Sequence, residues 1–329
     1  MLTHGNNFNY ETNASLIKMN NIYPNLFIPG AAKSGTSSLH KLLNVHPKIC
    51  MSSEKEPFFW VRKDFEEFSI KDKQWYLNLF NEKKNALIKG ESSTSYMLFP
   101  KFMENIKKFP NSENLKFIFL LRNPVDRIYS HYWYLKGLGS EPLSLREAVL
   151  KDKNITPNTK YALKEGKYKN YFQYGLYGKW LSKFYKEFHP NQIKIIAFED
   201  FIAHPNKVVN ECFTFLEVSE LFDLPKIHVN QTVLLKHPKI YKYIAINSNR
   251  LLNILKPTYK FFPKSLKDKL KKISLSNIVI RLTKSDSGYI KISQEDKNWL
   301  TDLYMEDFRL LQSQTNLSFH QWSNFNKSK

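Results

Sequence analysis

Short apolar runs alternate with amphipathic stretches over most of the chain. Several of the runs, such as LKFIFLLRNP, are apolar at nearly every position, which indicates strands that are buried on both faces. We therefore predict strands at residues 22–28, 48–52, 86–91, 115–124 and 193–200.

The stretches between these runs place apolar residues on one side of a helix. A first helix is predicted from Thr36 to just before His46-Pro47, because the residue before a proline disfavours helical backbone. Further helices are predicted at residues 64–80, 96–110, 125–137, 174–190, 204–218 and 292–314.

Strands that alternate with helices indicate the α/β class. The pattern predicts a P-loop-like three-layer sandwich, with a central parallel sheet flanked by helices. Ligands of such sheets bind at the carboxyl ends of the strands. The loops after residues 28, 51, 91 and 121 are therefore expected to meet at one edge.

The chain is expected to form one domain over residues 22–329, after a polar lead-in at residues 1–21. Residues 236–275 are rich in lysine and aromatic residues and are predicted to form a helical insertion. Because the sequence shows no apolar signal region and no membrane-spanning run, we expect a cytoplasmic location. A peripheral position at the inner face of a bacterial membrane is the alternative.

The charge balance is strongly positive, with 50 Lys and Arg residues, 30 Asp and Glu residues, and a net charge of +20. Such an excess indicates an anionic partner: nucleic acid, an acidic membrane surface, an anionic cosubstrate or an acidic glycan. A bias towards lysine, asparagine and isoleucine is the other explanation. The two cysteines, Cys50 and Cys212, form no C-x-x-C pair, which argues against a zinc site and excludes a disulfide framework.

The segment LFIPGAAKSGTSSLHK combines an apolar strand, a turn of small residues and the start of a helix. Such a turn binds anions, because backbone N–H groups and the helix dipole both face the ligand. Gly30 and Gly35 have the spacing of the P-loop motif G-x-x-x-x-G-K-[ST], but Thr36 occupies the lysine position and Lys33 lies inside the loop. Without an obvious carboxylate for Mg²⁺, this segment fits ATP poorly and indicates a different phosphate-bearing donor.

Four segments together resemble the sulfotransferase superfamily that uses 3′-phosphoadenosine 5′-phosphosulfate (PAPS), most closely its bacterial and heparan-sulfate-type branch. They are PGAAKSGTSSL, KEPFFW, LLRNPVDRIYSHYWY and the C-terminal LTDLYMEDFRLLQ…NLSFHQW. The first and third correspond to the two cosubstrate loops of the family, and their joint occurrence in this order is specific. The resemblance runs from about residue 25 to residue 322 and implies sulfuryl transfer.

The resemblance also implies which residues bind the donor. The 5′-phosphosulfate would be held by the first loop, through Lys33, Ser34, Gly35, Thr36, Ser37 and Ser38. The 3′-phosphate would be held by Arg122, Ser130 and, from a later basic loop, Lys284. Simpler roles are N-capping for the serines after Thr36 and an ion pair between Arg122 and Asp126. No metal is expected, since protein cations supply the positive charge.

The same resemblance implies the catalytic groups. Glu56, in KEPFFW, would be the general base that removes the proton of the acceptor. Lys33 would neutralise the charge that develops on the bridging oxygen, and His131 is a secondary catalytic candidate. The simpler role for Glu56 is an ion pair with Lys55.

Two departures from the heparan-sulfate pattern bear on the acceptor. Ser92 stands where a lysine often follows the acid that corresponds to Glu91, and Phe58 stands where a histidine often occurs. The expected acceptor is therefore broad: a hydroxyl, or less favourably an amine, of a glycan or glycolipid. Nucleic acid is not expected as a partner, and the sequence does not indicate the oligomeric state. The competing hypotheses are a P-loop NTP-dependent phosphotransferase and a non-catalytic binder of polyanions or membrane surfaces.

Overall fold

The computed structural model describes residues 23–108, 112–157, 169–221, 223–225 and 290–326. All four segments that carry the family resemblance lie within these ranges. The predicted lead-in at residues 1–21, the predicted insertion at residues 236–275 and Lys284 lie outside them.

The centre of the fold is a five-stranded sheet whose strands all run parallel. The strands are β1 (Leu26–Gly30), β2 (Ile49–Met51), β3 (Ile88–Glu91), β4 (Lys116–Leu121) and β5 (Ile193–Ala197). Their order is β2-β3-β1-β4-β5, so the carboxyl ends of β3, β1 and β4 lie side by side at one edge. The predicted parallel sheet is confirmed.

Helices connect the strands, and several begin at a serine that accepts an N–H bond from the residue three positions later. Ser69, Ser144 and Ser293 are the serines that do so. The helices of the described residues are α1 (Thr36–Leu43), α2 (Ile70–Asn78), α3 (Pro100–Lys107), α4 (Pro124–Gly137), α5 (Leu145–Lys153), α6 (Tyr177–Glu187), α7 (Phe198–Ala203), α8 (Pro205–Phe215) and α9 (Gln294–Thr315).

Alternating side chains of the central strands enter two separate apolar cores. Phe27, Phe117 and Phe119 belong to a core rich in aromatic residues. The side chains between them along β1 and β4 belong to a second, mainly aliphatic core, which also receives α1 and α8. Because successive residues of a strand point to opposite faces, this division produces the predicted three layers.

Two predicted elements are divided in the structure. The predicted helix at residues 64–80 begins as the short 3₁₀ turn Phe65–Glu67 and resumes as α2, because Ser69 forms a capping box there. The predicted strand at residues 193–200 ends at Ala197, and α7 follows it directly with acidic residues in its first turn. Acidic residues near a helix start are stabilised by the helix dipole.

Two further differences concern element boundaries. β1 begins at Leu26, later than the predicted start at residue 22, because Pro24 has no N–H for strand pairing. Helix α5 has no counterpart among the predicted elements. Its sequence signal is the capping box between Ser144 and Glu147, which precedes a short helix with few apolar positions.

Candidate active site

The loop between β1 and α1 has the conformation of an anion cradle. Gly35 immediately precedes α1 and has a φ of 86°, in the left-handed region. A Cβ atom there would lie 2.8 Å from the Phe198 ring, so both conformation and space require glycine. A Cβ atom on Gly30 would collide with the sulfur of Met97.

Backbone donors of this loop remain available to a ligand. The N–H groups of residues 32–37 donate to no other group within the described part of the chain. Ser34, Thr36 and Ser38 are buried, and Ser37 is half-buried. A set of N–H donors at the start of a helix, lined by hydroxyl groups, is suited to a phosphate or sulfate.

Lys33 also has left-handed backbone, with a φ of 68°, and its ammonium lies 4.3 Å from the centre of the Tyr134 ring. Burial, together with the positive charges of Arg122, Arg127 and Lys55, lowers the pKa of Lys33 to about 8. An ammonium in such a cationic environment gains from binding an anion, because the anion would offset the repulsion.

Arg122 lies at the carboxyl end of β4, next to the loop of residues 31–35 between β1 and α1, which we name the donor loop. Its guanidinium donates to the Lys33 carbonyl at 3.5 Å and lies 5.1 Å from the centre of the Phe198 ring. The alternative ion pair with Asp126 is not among the salt bridges of the described residues. The guanidinium is therefore placed to bind a phosphate at this edge.

Helix α4 brings Ser130 to the same region. Ser130 is buried, and Tyr134, which contacts Lys33, follows it by four residues. Residues four apart share one face of a helix. The face of α4 that carries Ser130 is therefore the face that the donor loop contacts.

His131 contacts a buried cluster on α4 and the segment before α6. Its Nδ1 lies 3.4 Å from Nη1 of Arg127, and its ring meets the rings of Tyr171 and Tyr174 edge-on. Arg127 is fully buried and also donates to the carbonyl of Tyr171. These contacts indicate that His131 helps to hold Arg127, whose charge acts on Lys33.

Glu56 lies in the loop after β2 and is held by three donors. Its Oε1 accepts from Nζ of Lys55 at 2.7 Å and from Oγ1 of Thr94 at 3.0 Å. Its Oε2 accepts from the backbone N–H of Thr94 at 2.9 Å. The predicted simpler contact, the ion pair with Lys55, is present. The side chain is still 27% exposed, so an acceptor can approach it.

Lys55 links Glu56 to the donor loop. Its ammonium is bonded to Glu56, and its positive charge contributes to the lowered pKa of Lys33. The proposed base and the proposed electrostatic catalyst thus share one electrostatic environment, although 22 positions separate Lys33 from Lys55 in the chain.

Ser92, which follows β3, is bonded to a neutral histidine. Burial lowers the pKa of His40 to about 4, with a further contribution from the charge of Lys55. Its Nε2 donates to the carbonyl of Ser52 at 3.1 Å, so its Nδ1 is free to accept from the Ser92 hydroxyl at 2.9 Å.

The C-terminal segment contacts the loop that carries Arg122. The carboxylate of Glu199 accepts from the N–H of Asn123 at 3.0 Å and from Nε1 of Trp322 at 2.9 Å. The side-chain amide of Asn123 donates to Oδ1 of Asn324 at 2.6 Å. We name this set of Asn123, Glu199, Trp322 and Asn324 the C-terminal clasp.

The described residues contain no group of three or more His, Cys, Asp and Glu side chains arranged to hold a metal ion. None of the helices in those ranges is both long and apolar enough to cross a membrane. Cys50 and Cys212 are buried free thiols.

Comparison with known families identifies the family to which these loops belong. A family model for the sulfotransferase domain matches residues 23–234, which include the donor loop, Glu56 and Arg122. The chain belongs to the sulfotransferase family. The predicted family resemblance is confirmed.

Curated relatives of this sulfotransferase include enzymes named for carbohydrate acceptors. Carbohydrate sulfotransferase 15 of Homo sapiens is 27% identical over 248 residues, 60% of this chain and 44% of the relative. Heparan sulfate glucosamine 3-O-sulfotransferase 5 of Mus musculus is 26% identical over 209 residues, 64% of this chain and 58% of the relative. The chain thus spans about half the length of these relatives.

A solved structure shows the same fold. The crystal structure of a sulfotransferase from Alicyclobacillus acidocaldarius superposes with a TM-score of 0.61 at 23% identity. The superposition covers 92% of this chain and 99% of that one. The predicted P-loop-like three-layer fold is confirmed.

Several groups of the site have no counterpart among the predicted site residues. They are Thr94, His40, Tyr134 and the clasp residue Glu199. The hydroxyl-rich run at residues 92–95, directly after a strand, is a signal for Thr94. The contacts of His40, Tyr134 and Glu199 join positions far apart in the chain, so no local sequence pattern predicts them.

Proposed function

We propose that this protein transfers a sulfuryl group from PAPS to a hydroxyl, or less favourably an amine, of a glycan or glycolipid. The observation that carries the proposal is that Glu56 is bonded to the ammonium of Lys55, whose charge also acts on Lys33 in a loop of available N–H donors. The glycan acceptor is supported by relatives named as carbohydrate and heparan sulfate sulfotransferases.

The donor would lie along the carboxyl ends of β1 and β4. The loop after β1 would bind the 5′-phosphosulfate through its N–H groups and through Lys33, Ser34, Gly35, Thr36, Ser37 and Ser38. The 3′-phosphate would be bound by Arg122 and Ser130, with Lys284 from the late basic loop. Recognition of a 3′-phosphate would distinguish PAPS from ATP.

In the transfer step the acceptor oxygen attacks the sulfur, and the bond from sulfur to the bridging phosphate oxygen breaks. The acceptor proton passes to the carboxylate of Glu56, and the electron pair of the broken bond remains on the bridging oxygen. Lys33 would stabilise the negative charge on that oxygen. To reach it, the Lys33 ammonium would move away from the Tyr134 ring. His131 would act indirectly, by holding Arg127 in place.

The test is a transfer assay with radiolabelled PAPS and a panel of glycan and glycolipid acceptors. Glu56→Gln is expected to lower kcat by roughly 100- to 10,000-fold, while binding of the desulfated product stays unchanged. Glu54→Gln is the matched control, because Glu54 is an exposed acid in the same loop. Absence of transfer to every acceptor, or equal activity of the two variants, would refute the proposal.

The competing hypotheses account for less of the molecule. The phosphotransferase hypothesis does not explain why Thr36 occupies the lysine position of the P-loop. The hypothesis of a polyanion binder does not explain the contacts that hold Glu56. We retain the expected cytoplasmic location, and fractionation of cells that express the full chain would test it against peripheral membrane association.

A further inference from the structure

Glu91 ends β3, and its fully buried carboxylate accepts three hydrogen bonds from hydroxyl groups. Its Oε1 accepts from the Tyr76 hydroxyl at 2.6 Å and from the Tyr96 hydroxyl at 2.9 Å. Its Oε2 accepts from Oγ of Ser93 at 3.0 Å. A buried carboxylate with this many donors is a fixed point of the structure, because removing it leaves several polar groups unpaired.

Each of these hydroxyls also accepts an N–H from the segment that follows Glu56. The indole Nε1 of Trp60 donates to Tyr76 at 2.8 Å, and the backbone N–H of Trp60 donates to Tyr96 at 3.3 Å. The backbone N–H of Phe58 donates to Ser93 at 3.2 Å. Three relays therefore run in one direction, from the segment through a hydroxyl to one carboxylate.

A second connection reaches Glu56 itself. Ser93, which donates to Glu91, is followed by Thr94, whose backbone N–H and hydroxyl both bind the Glu56 carboxylate. Glu56 and Phe58 have left-handed backbone, with φ of 61° and 52°, so the loop needs outside contacts to keep its shape. The relays supply such contacts.

We propose that Glu91 is a positioning residue that fixes the loop of Glu56, through Ser93, Tyr76 and Tyr96, in the geometry required for proton removal. This inference rests on the proposed function, since it takes Glu56 as the base. It gives a role to a carboxylate that the transfer step does not use.

The relays are complete only when Glu91 is ionised, because a carboxylate accepts at both oxygens whereas a carboxyl group must also donate. Burial, with a smaller contribution from the nearby charge of Glu56, raises the pKa of Glu91 to about 7, although its three hydroxyl donors oppose this shift. The other titratable groups that face it, Tyr76 and Tyr96, have pKa values well above 10.0 and remain donors. The positioning should therefore weaken as the pH falls through about 7.

The experiment is a double-mutant cycle of Glu91→Gln and Glu56→Gln, measured as kcat and as affinity for 3′-phosphoadenosine 5′-phosphate. Glu91→Gln alone should lower kcat tenfold or more at pH 8 and change the Kd of the nucleotide less than twofold. In the Glu56→Gln background the same substitution should cost almost nothing, because Glu91 acts through Glu56. The rise of kcat through about pH 7 should disappear in Glu91→Gln.

Asp307→Asn is the matched control, since Asp307 is a half-buried carboxylate on α9 that accepts two backbone N–H bonds from Gly178 and Lys179 of α6, away from the loop of Glu56. If Glu91→Gln does not fold, Tyr96→Phe and Ser93→Ala each remove one relay and should each lower kcat several-fold. The inference is overturned if Glu91→Gln lowers kcat equally in the wild-type and Glu56→Gln backgrounds, or if it leaves kcat unchanged. It is also overturned if kcat of Glu91→Gln still rises through about pH 7. Failure of the wild type to bind the nucleotide, or full activity of Glu56→Gln, would instead count against the proposed function.

Discussion

Lys33, Glu56 and Phe58 hold left-handed backbone in the two loops that form the site. Each non-glycine residue in this region costs roughly 1–3 kcal/mol, so surrounding contacts must maintain it. For Glu56 they include its N–H bond to the Ser92 carbonyl at 3.1 Å. The concentration of such residues at this edge is typical of a functional centre, where geometry is held against local preference.

Binding of the desulfated nucleotide should weaken as the pH rises through about 8, the value to which burial and nearby cations lower the pKa of Lys33. Below this pH the ammonium is charged and, under the proposed function, would bind the 5′-phosphate; above it the charge is lost. The expected loss is about tenfold, the value of one charge-assisted hydrogen bond. Calorimetry between pH 6.5 and 9.5 measures it.

The matched variant is Lys33→Arg, because a guanidinium stays charged throughout this range. Its affinity should be nearly constant with pH, even if it is weaker overall. An equal decline in Lys33→Arg would show that another group titrates.

Gly35→Ala should destabilise the fold and abolish nucleotide binding. The left-handed φ of 86° costs a residue with a Cβ atom about 1–2 kcal/mol, and contact with the Phe198 ring adds to this. Gly139→Ala is the control, since Gly139 also has a positive φ, 66°, beyond the end of α4. Urea unfolding should show a larger loss of unfolding free energy for Gly35→Ala than for Gly139→Ala. Equal losses would mean that the Phe198 ring moves aside at no energetic cost.

At the scale of elements, the C-terminal clasp joins the corner between β5 and α7 to the loop after β4. Glu199 binds Asn123 on one side and Trp322 on the other, so the segment after α9 sets the position of the loop that carries Arg122. Tyr177 on α6 supports the same loop, through a bond to the Arg122 carbonyl at 2.8 Å.

Trp322→Phe should therefore weaken nucleotide binding several-fold, through the loss of about 1 kcal/mol of support for the loop. Trp180→Phe is a matched control, because Trp180 is also buried and also donates one indole bond, to the Gln173 carbonyl at 2.7 Å. Both variants should lose similar stability in thermal unfolding. Equal nucleotide affinity in the two variants would show that the C-terminal clasp does not contribute to nucleotide binding.

The sequence predicts the sheet and both cosubstrate loops because their signals are local. The apolar strand before Arg122 and the small residues around Gly35 are each contiguous in the chain. The effect of the Lys55 charge on Lys33 and the relays to Glu91 join separate loops. They depend on the strand order and on side-chain packing, which the periodicity of the chain does not encode.

At the scale of the whole molecule, the net charge of +20 should attract an anionic nucleotide before contact. Lys33, Arg122, Arg127 and Lys55 concentrate this charge at one edge of the sheet. The long-range part of such attraction is screened by salt, whereas close contacts in a buried site are screened less.

Association of the nucleotide should therefore slow several-fold between about 0.05 and 0.5 M salt, as the Debye length falls from above 10 Å to a few Å. The dissociation rate should change much less, because it reports the short contacts. Stopped-flow measurement of both rates checks this. A salt effect carried mainly by dissociation would contradict steering by the overall charge.

The most direct test of the central claim, a PAPS site at the edge formed by β1 and β4, is calorimetric titration with 3′-phosphoadenosine 5′-phosphate without Mg²⁺. ATP and an Arg122→Ala variant are measured in parallel. We predict micromolar binding of the product, a large loss of affinity in the variant and no comparable binding of ATP. Absence of product binding, or equal binding of ATP, would contradict the claim.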